Sequence, residues 1–251
     1  MRQNLRAAKR LFLVELHLFL REPFAVFFTL VFPMLIMLVF SAVFGEEPTG
    51  YRDFRVADLI LPSSVATILA YLGLMGIPIA LSEYRDMGVL RRFKATPLGL
   101  SSLMAAHLAV QFLFFVVAST LVIVTSAILF DTRFHGNLPA FLAVAFLSAV
   151  AMFAFGFLLV GLTKGSRTAQ SVGAGLFFPM LFVSGATIPR SDFPEWLFRV
   201  SEYVPLTRIV DNLSTTWIDV PFVRANWITL LYLALLVVAL FAAAEKLFRW
   251  D

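Results

Sequence analysis

Cysteine is absent from the 251 residues, which excludes disulfides, thiolate nucleophiles and thiolate metal ligands. Histidine is scarce. His17, His107 and His135 are far apart and form no ligand-spaced cluster. Charge is scarce too: 14% of residues are Asp, Glu, Lys or Arg, whereas 60% are hydrophobic. Soluble domains average about 25% charged and about 45–50% apolar. So few charges cannot present a water-compatible surface over so much apolar chain, but a bilayer removes the conflict. The 28 Phe residues point the same way.

What is present is a series of long uncharged runs, at 23–45, 59–82, 95–130, 134–163, 168–189 and 225–244. Crossing a hydrocarbon core of ~30 Å takes about 20 helical residues. Trimmed at turn signals, the runs predict six transmembrane helices at 24–44, 59–81, 104–129, 138–162, 169–186 and 227–244. None alternates as a barrel strand would. The expectation is an all-α integral membrane protein, with 1–251 forming a single transmembrane domain.

Six spans place both termini on one side. That side holds 13 of the 20 Lys and Arg residues with six acids, and the opposite side holds seven bases with ten acids. The excess of bases predicts that the first side, and both termini, are cytoplasmic. This distribution accounts for the net charge of +4 without nucleic acid. Basic residues throughout the first 21 positions also argue against a cleavable signal peptide.

Residues 2–21 predict an amphipathic helix lying in the interface. Arg2, Arg6, Arg10, His17 and Arg21 share one face, and Leu5, Ala8, Leu11, Phe12, Leu16 and Phe19 share the other. Glu15 interrupts the apolar face. Either it snorkels outward, or it pairs with a basic group of a cytoplasmic loop or a partner. Pro33, Pro78 and Pro179 fall within the first, second and fifth spans, and each invites a kink. Glycines lie nearby, and they suit either ordinary close packing or a pathway whose helices bend. Aromatic and apolar residues are mixed with charges around Trp196, Phe198 and Tyr203, which predicts short external helices over 190–212 that dip into the outer leaflet.

Between the second and third spans the chain reads Glu83-Tyr84-Arg85-Asp86-Met87-Gly88-Val89-Leu90-Arg91-Arg92-Phe93-Lys94-Ala95-Thr96-Pro97. The mixed charge, the glycine and the terminal proline predict either a short helix offered to something soluble or a basic loop that only sets topology. Here the sequence resembles the permease subunit of ABC-2 type (type V) exporters, most closely bacterial drug- and antibiotic-exporter permeases. The loop is similar to the family's Glu-Arg-x-x-Gly-x-Leu-x-Arg-x-x-x-Thr-Pro signature. Arg21-Glu22-Pro23 leading into Phe32-Pro33, and Ser184-Gly185-Ala186-Thr187-Ile188-Pro189 with Phe193-Pro194-Glu195-Trp196 and Pro205-Leu206-Thr207, resemble its other landmarks. One departure is the coupling turn, where the family often has Glu-Arg-Glu-x-Gly-Thr.

The resemblance implies an elbow helix over 2–21, making contacts through Glu15 and Arg21. It implies a coupling element over 83–97 that docks on an ATPase through Glu83, Arg85, Asp86, Gly88, Leu90, Arg91, Arg92, Phe93 and Pro97. The assembly would hold two permease chains, usually identical, and two ATPase subunits in a bacterial inner membrane. ATP and Mg would bind the ATPase. This chain has no phosphate-binding loop, since Gly161-Leu162-Thr163-Lys164-Gly165-Ser166 lacks the required spacing. It is expected to be no enzyme and to bind no cofactor or metal itself. Asp192 and Glu195 could share a helix face, but a solvated face and an anchor fit them better than catalysis.

The trimmed spans carry no Asp, Glu, Lys or Arg, and their notable polar groups are His107, Gln111 and Gln170. That argues against a proton-coupled secondary transporter, with His107 read as an interfacial or packing residue. It favours a hydrophobic or amphipathic substrate (a drug, antibiotic or lipid), with a lipid-linked polysaccharide as the alternative.

Overall fold

The fold is known from a computed structural model that describes residues 2–48, 54–95, 99–188, 190 and 193–218, together with helical backbone at 231, 234, 235 and 238. The sixth expected span, Pro97 and Asp192 lie outside the described residues, apart from those four helical positions. All named elements among the described residues are helices.

Helix α1 runs Arg2–Arg21 and stops because Pro23 disfavours helical backbone at Glu22, which is extended (φ −91°, ψ 96°). Pro23 then opens α2, Pro23–Phe44. The other long helices are α3, Val56–Asp86, α5, Gly99–Phe130, and α6, Leu138–Leu162. Between α3 and α5 lies the short α4, Val89–Lys94. The chain continues through α7, Ser166–Val183, α8, Glu195–Ser201, and α9, Pro205–Ile218.

Helices α2, α3, α5 and α6 are long and apolar enough to cross a membrane. The fifth expected span is occupied by α7, an 18-residue helix whose first turns carry Arg167, Thr168, Gln170 and Ser171. Those residues dilute its apolar content, and it is not one of the four. Helix boundaries also overrun the apolar stretches. The α3 helix begins before the expected 59, where Asp58 Oδ2 accepts the Arg55 backbone N–H at 3.0 Å. It continues through the charged residues to Asp86. At 31 residues it is about 46 Å long, so it exceeds a ~30 Å hydrocarbon core.

The centre of the bundle is α3. Of its most apolar stretch 89% is buried, against 22% in α2 and 33% in α5. Its first half packs on α2, α5 and α9, and its second half on α6 and α7. Of the three prolines expected to bend helices, Pro33, Pro78 and Pro179, two follow a widened turn. Phe27–Val31 and Leu72–Gly76 are π-helical, and the turns close with Phe32 N–H to Phe27 O and Ile77 N–H to Leu72 O. Pro33 and Pro78 come next, and neither can donate to the carbonyl four residues back. Pro179 lies within regular α-helix on an exposed face.

Glycines bring α6 and α7 onto the α3 π turn. A Cβ at Gly73 would lie 2.4 Å from Met152 O, and one at Gly173 would lie 2.4 Å from Leu74 O. Leu74 O is the carbonyl that Pro78 leaves without its usual donor. Tyr71, Phe28, Phe32 and Phe177 then lock α2, α3 and α7 together through ring contacts.

Candidate functional site

The chemistry-bearing residues gather where α1, the end of α3, α4 and the α6–α7 turn meet, here termed the basic end. Helix α3 is stopped by Gly88, whose φ of +69° places it in the left-handed region. The space around it is open, so backbone conformation alone calls for glycine there. Met87 N–H donates to Glu83 O at 2.9 Å and Gly88 N–H to Arg85 O at 3.0 Å, which satisfies the last carbonyls. Gly88 O accepts from Arg92 N–H at 3.2 Å and so starts α4. Within this helix-turn-helix Leu90 is buried and Phe93 half-buried, whereas Met87, Arg91 and Arg92 are exposed.

The residues immediately before the turn, half-buried Tyr84 and Arg85 and exposed Asp86, all find partners within the protein. The Tyr84 hydroxyl lies 2.9 Å from both Glu15 carboxylate oxygens, and His107 Nδ1 lies 2.9 Å from Glu15 Oε2. An ionised carboxylate only accepts, so Nδ1 carries the hydrogen in that contact. Nε2 is then free to accept from Gln111 Nε2, 3.1 Å away. This assignment of the tautomer follows from the hydrogen-bond network. Glu15 is 4% exposed and His107 5%. Phe19 stacks on Phe114 (centroids 3.9 Å apart) one turn further along, so α1 is held to α5 by both polar and aromatic contacts.

One expectation is corrected here. Glu15 neither snorkels nor meets a basic loop residue; its partners are a tyrosine and a histidine 69 and 92 positions away. His107 is a member of a buried ionisable pair. The face of α1 that Glu15 interrupts packs on protein through Phe12, Glu15, Leu16 and Phe19. A further apolar set, Leu13, Val14, Leu18 and Leu20, is exposed.

Arg85 and Asp86 also turn to internal partners. The Arg85 guanidinium donates to Val160 O at 3.2 Å and to Thr163 O, at the C-terminus of α6. Asp86 Oδ2 accepts Ser166 N–H at 2.8 Å, at the N-terminus of α7. Glu83 is half-buried, and Arg21 is exposed at the end of α1. Pro33 and Pro78 are buried.

At the opposite end Arg190 Nη2 lies 2.8 Å from both Asp211 carboxylate oxygens, and its guanidinium lies over the Phe198 ring, which joins the segment after α7 to α8 and α9. Burial pushes the Asp211 carboxyl above its ordinary value, against the pull of Arg190 and Arg208. Trp196 and Tyr203 are exposed there, at 67% and 84%. A polar cleft of about 240 Å³ on the same side is lined by Arg55, Asp58, Asp131, Arg133 and His135. Its arginines are already paired, Arg55 with Glu46 and Arg133 with Asp131. Among the described residues no group of three or more His, Asp or Glu could hold a metal ion.

Four helices long and apolar enough to span, one of them the buried centre of the bundle, define a multi-pass α-helical membrane protein. Comparison with protein families is more specific: the ABC-2 type transporter model matches residues 6–218. The chain belongs to that family and is an ABC transporter permease, a membrane transport component and not itself a catalyst. Permeases of this family normally work with an ATPase partner. Comparison with curated proteins returns no match.

Proposed function

We propose that the chain is the permease of an ATP-driven exporter, with α4 as the element that docks on a separate ATPase and α1 as its elbow. One observation carries the reading. The end of α3, the turn at Met87-Gly88 and α4 form a helix-turn-helix that buries Leu90 and leaves Met87, Arg91 and Arg92 exposed. The docking residues are then Met87, Arg91 and Arg92, while Arg85 and Asp86 act inside the bundle. In this reading the basic end and both termini are cytoplasmic. Two permease chains and two ATPase subunits form the unit, in a bacterial inner membrane, and ATP and Mg bind the ATPase.

The substrate is a hydrophobic or amphipathic molecule such as a drug, antibiotic or lipid. The apolar spans and the aromatic cluster of Phe28, Phe32, Tyr71 and Phe177 support this over a polar solute. A lipid-linked polysaccharide is the alternative cargo. The buried Glu15–His107 pair is the one observation that favours a proton-coupled rival. Proteoliposomes holding the chain and its ATPase separate the two. Export of an amphipathic dye should require ATP and survive collapse of the proton gradient. Uptake driven by a pH gradient without ATP would refute the proposal.

A further inference from the structure

We infer that Arg85 and Asp86 are positioning residues that bind the α6–α7 turn to the coupling segment, so that displacement of α4 is delivered to α6 and α7 as well as to its covalent neighbours. The inference rests on the reading of α4 as the ATPase contact. Along the chain, α4 is connected only to α3 and α5. Its hold on α6 and α7 is non-covalent, and the geometry shows where it lies.

The chemistry of that hold is matched at both ends. A helix C-terminus leaves its last carbonyls without N–H partners and carries partial negative charge; an N-terminus has the reverse. Arg85, a cation with several donors, sits on Val160 O and Thr163 O where α6 ends. Asp86, an anion, accepts Ser166 N–H where α7 begins. Adjacent residues of opposite charge thus meet the two ends of one turn that need those charges. The fit is close: a Cβ at Gly165 would lie 3.3 Å from both Asp86 carboxylate oxygens. Tyr84, one position earlier, holds Glu15 of α1. Three successive residues on one helical turn therefore reach α1, α6 and α7. Gly173 of α7 packs on the backbone of the α3 π turn, so a shift of α7 is felt at the centre of the bundle.

The absence of cysteine makes the joint directly measurable. Ser101→Cys on α5 and Lys164→Cys in the α6–α7 turn, both at exposed positions, accept spin labels in an otherwise unlabelled chain. Pulsed electron resonance on the complex with its ATPase gives the distance between them without nucleotide and with ATP trapped. The expected result is one narrow distance, unchanged between the two states. In Arg85→Gln/Asp86→Asn the distribution should broaden, and substrate moved per ATP should fall by about tenfold while hydrolysis stays within about twofold. Gly165→Val should act the same way by crowding Asp86 from the opposite side, which guards against a folding defect peculiar to the double variant. A parent distance that shifts with nucleotide beyond its own width, or a transport-to-ATP ratio unchanged in both variants, would overturn the inference. If no ATPase binds the parent chain, the docking reading fails. The same label pair in the chain alone then decides the joint, because an unbroadened distribution in the double variant refutes it.

Discussion

Glu15→Ala removes the one acceptor shared by the hydroxyl of the half-buried Tyr84 and the Nδ1–H of the buried His107. Each buried donor left without a partner costs about 1–3 kcal/mol. Two such donors, with some relief from water entering the space of the lost side chain, amount to about 3 kcal/mol. Glu15→Gln keeps the shape and one carbonyl acceptor, but it turns an amide N–H toward the second donor and removes the charge, so its cost is about 1–2 kcal/mol. A residue snorkelling into the interface would give less than about 0.5 kcal/mol for either change. Unfolding in mixed detergent and dodecyl sulfate micelles, followed by tryptophan fluorescence, resolves the three cases. Loss of α1 docking should also make the first helix accessible to protease before the rest of the chain. An Ala variant as stable as the parent, with an intact first helix, would refute the network.

The glycines at the centre should be unequal. Gly73→Ala drives a methyl to 2.4 Å from a Met152 carbonyl and should cost about 1–3 kcal/mol in the same assay, as overpacking does. Gly175→Ala has nothing within 4 Å and should be neutral or stabilise by up to about 1 kcal/mol. Arg190→Ala breaks the ion pair with Asp211 and should cost about 1–2 kcal/mol, discounted for partial exposure; a loss under about 0.3 kcal/mol would show that the pair is solvated.

Composition and uncharged runs made the helical membrane class legible, because scarcity of charge over such lengths leaves lipid as the only fitting solvent. The ends of the helices were less legible. Charges mark where an apolar run stops, but α3 continues from the run into Glu83–Asp86 since Tyr84, Arg85 and Asp86 find partners in the protein. Prolines marked sites of backbone irregularity, yet only tertiary packing decides that Pro33 and Pro78 follow π turns while Pro179 does not. The buried pair was the clearest omission. Nothing local to Glu15 reveals that His107 and Tyr84 close over it, and the search for charges within spans passed over a helix read as interfacial. The signal available was the carboxylate itself: an acid in an apolar stripe calls for a buried donor. The resemblance at 83–97 singled out a segment but could not separate its buried residues from its exposed ones.

The central claim is that this permease couples to an ATPase through the outward face of α4. The direct measurement is co-purification of a co-expressed ATPase partner, by a tag on this chain alone, for the parent and for Arg91→Glu/Arg92→Glu. Both arginines are exposed, so the variant should keep the parent's melting behaviour. The account predicts a stable complex with substrate-stimulated ATP hydrolysis for the parent, and loss of the ATPase from an equally well-folded variant. An ATPase that stays bound and stimulated after both charges are reversed would contradict it.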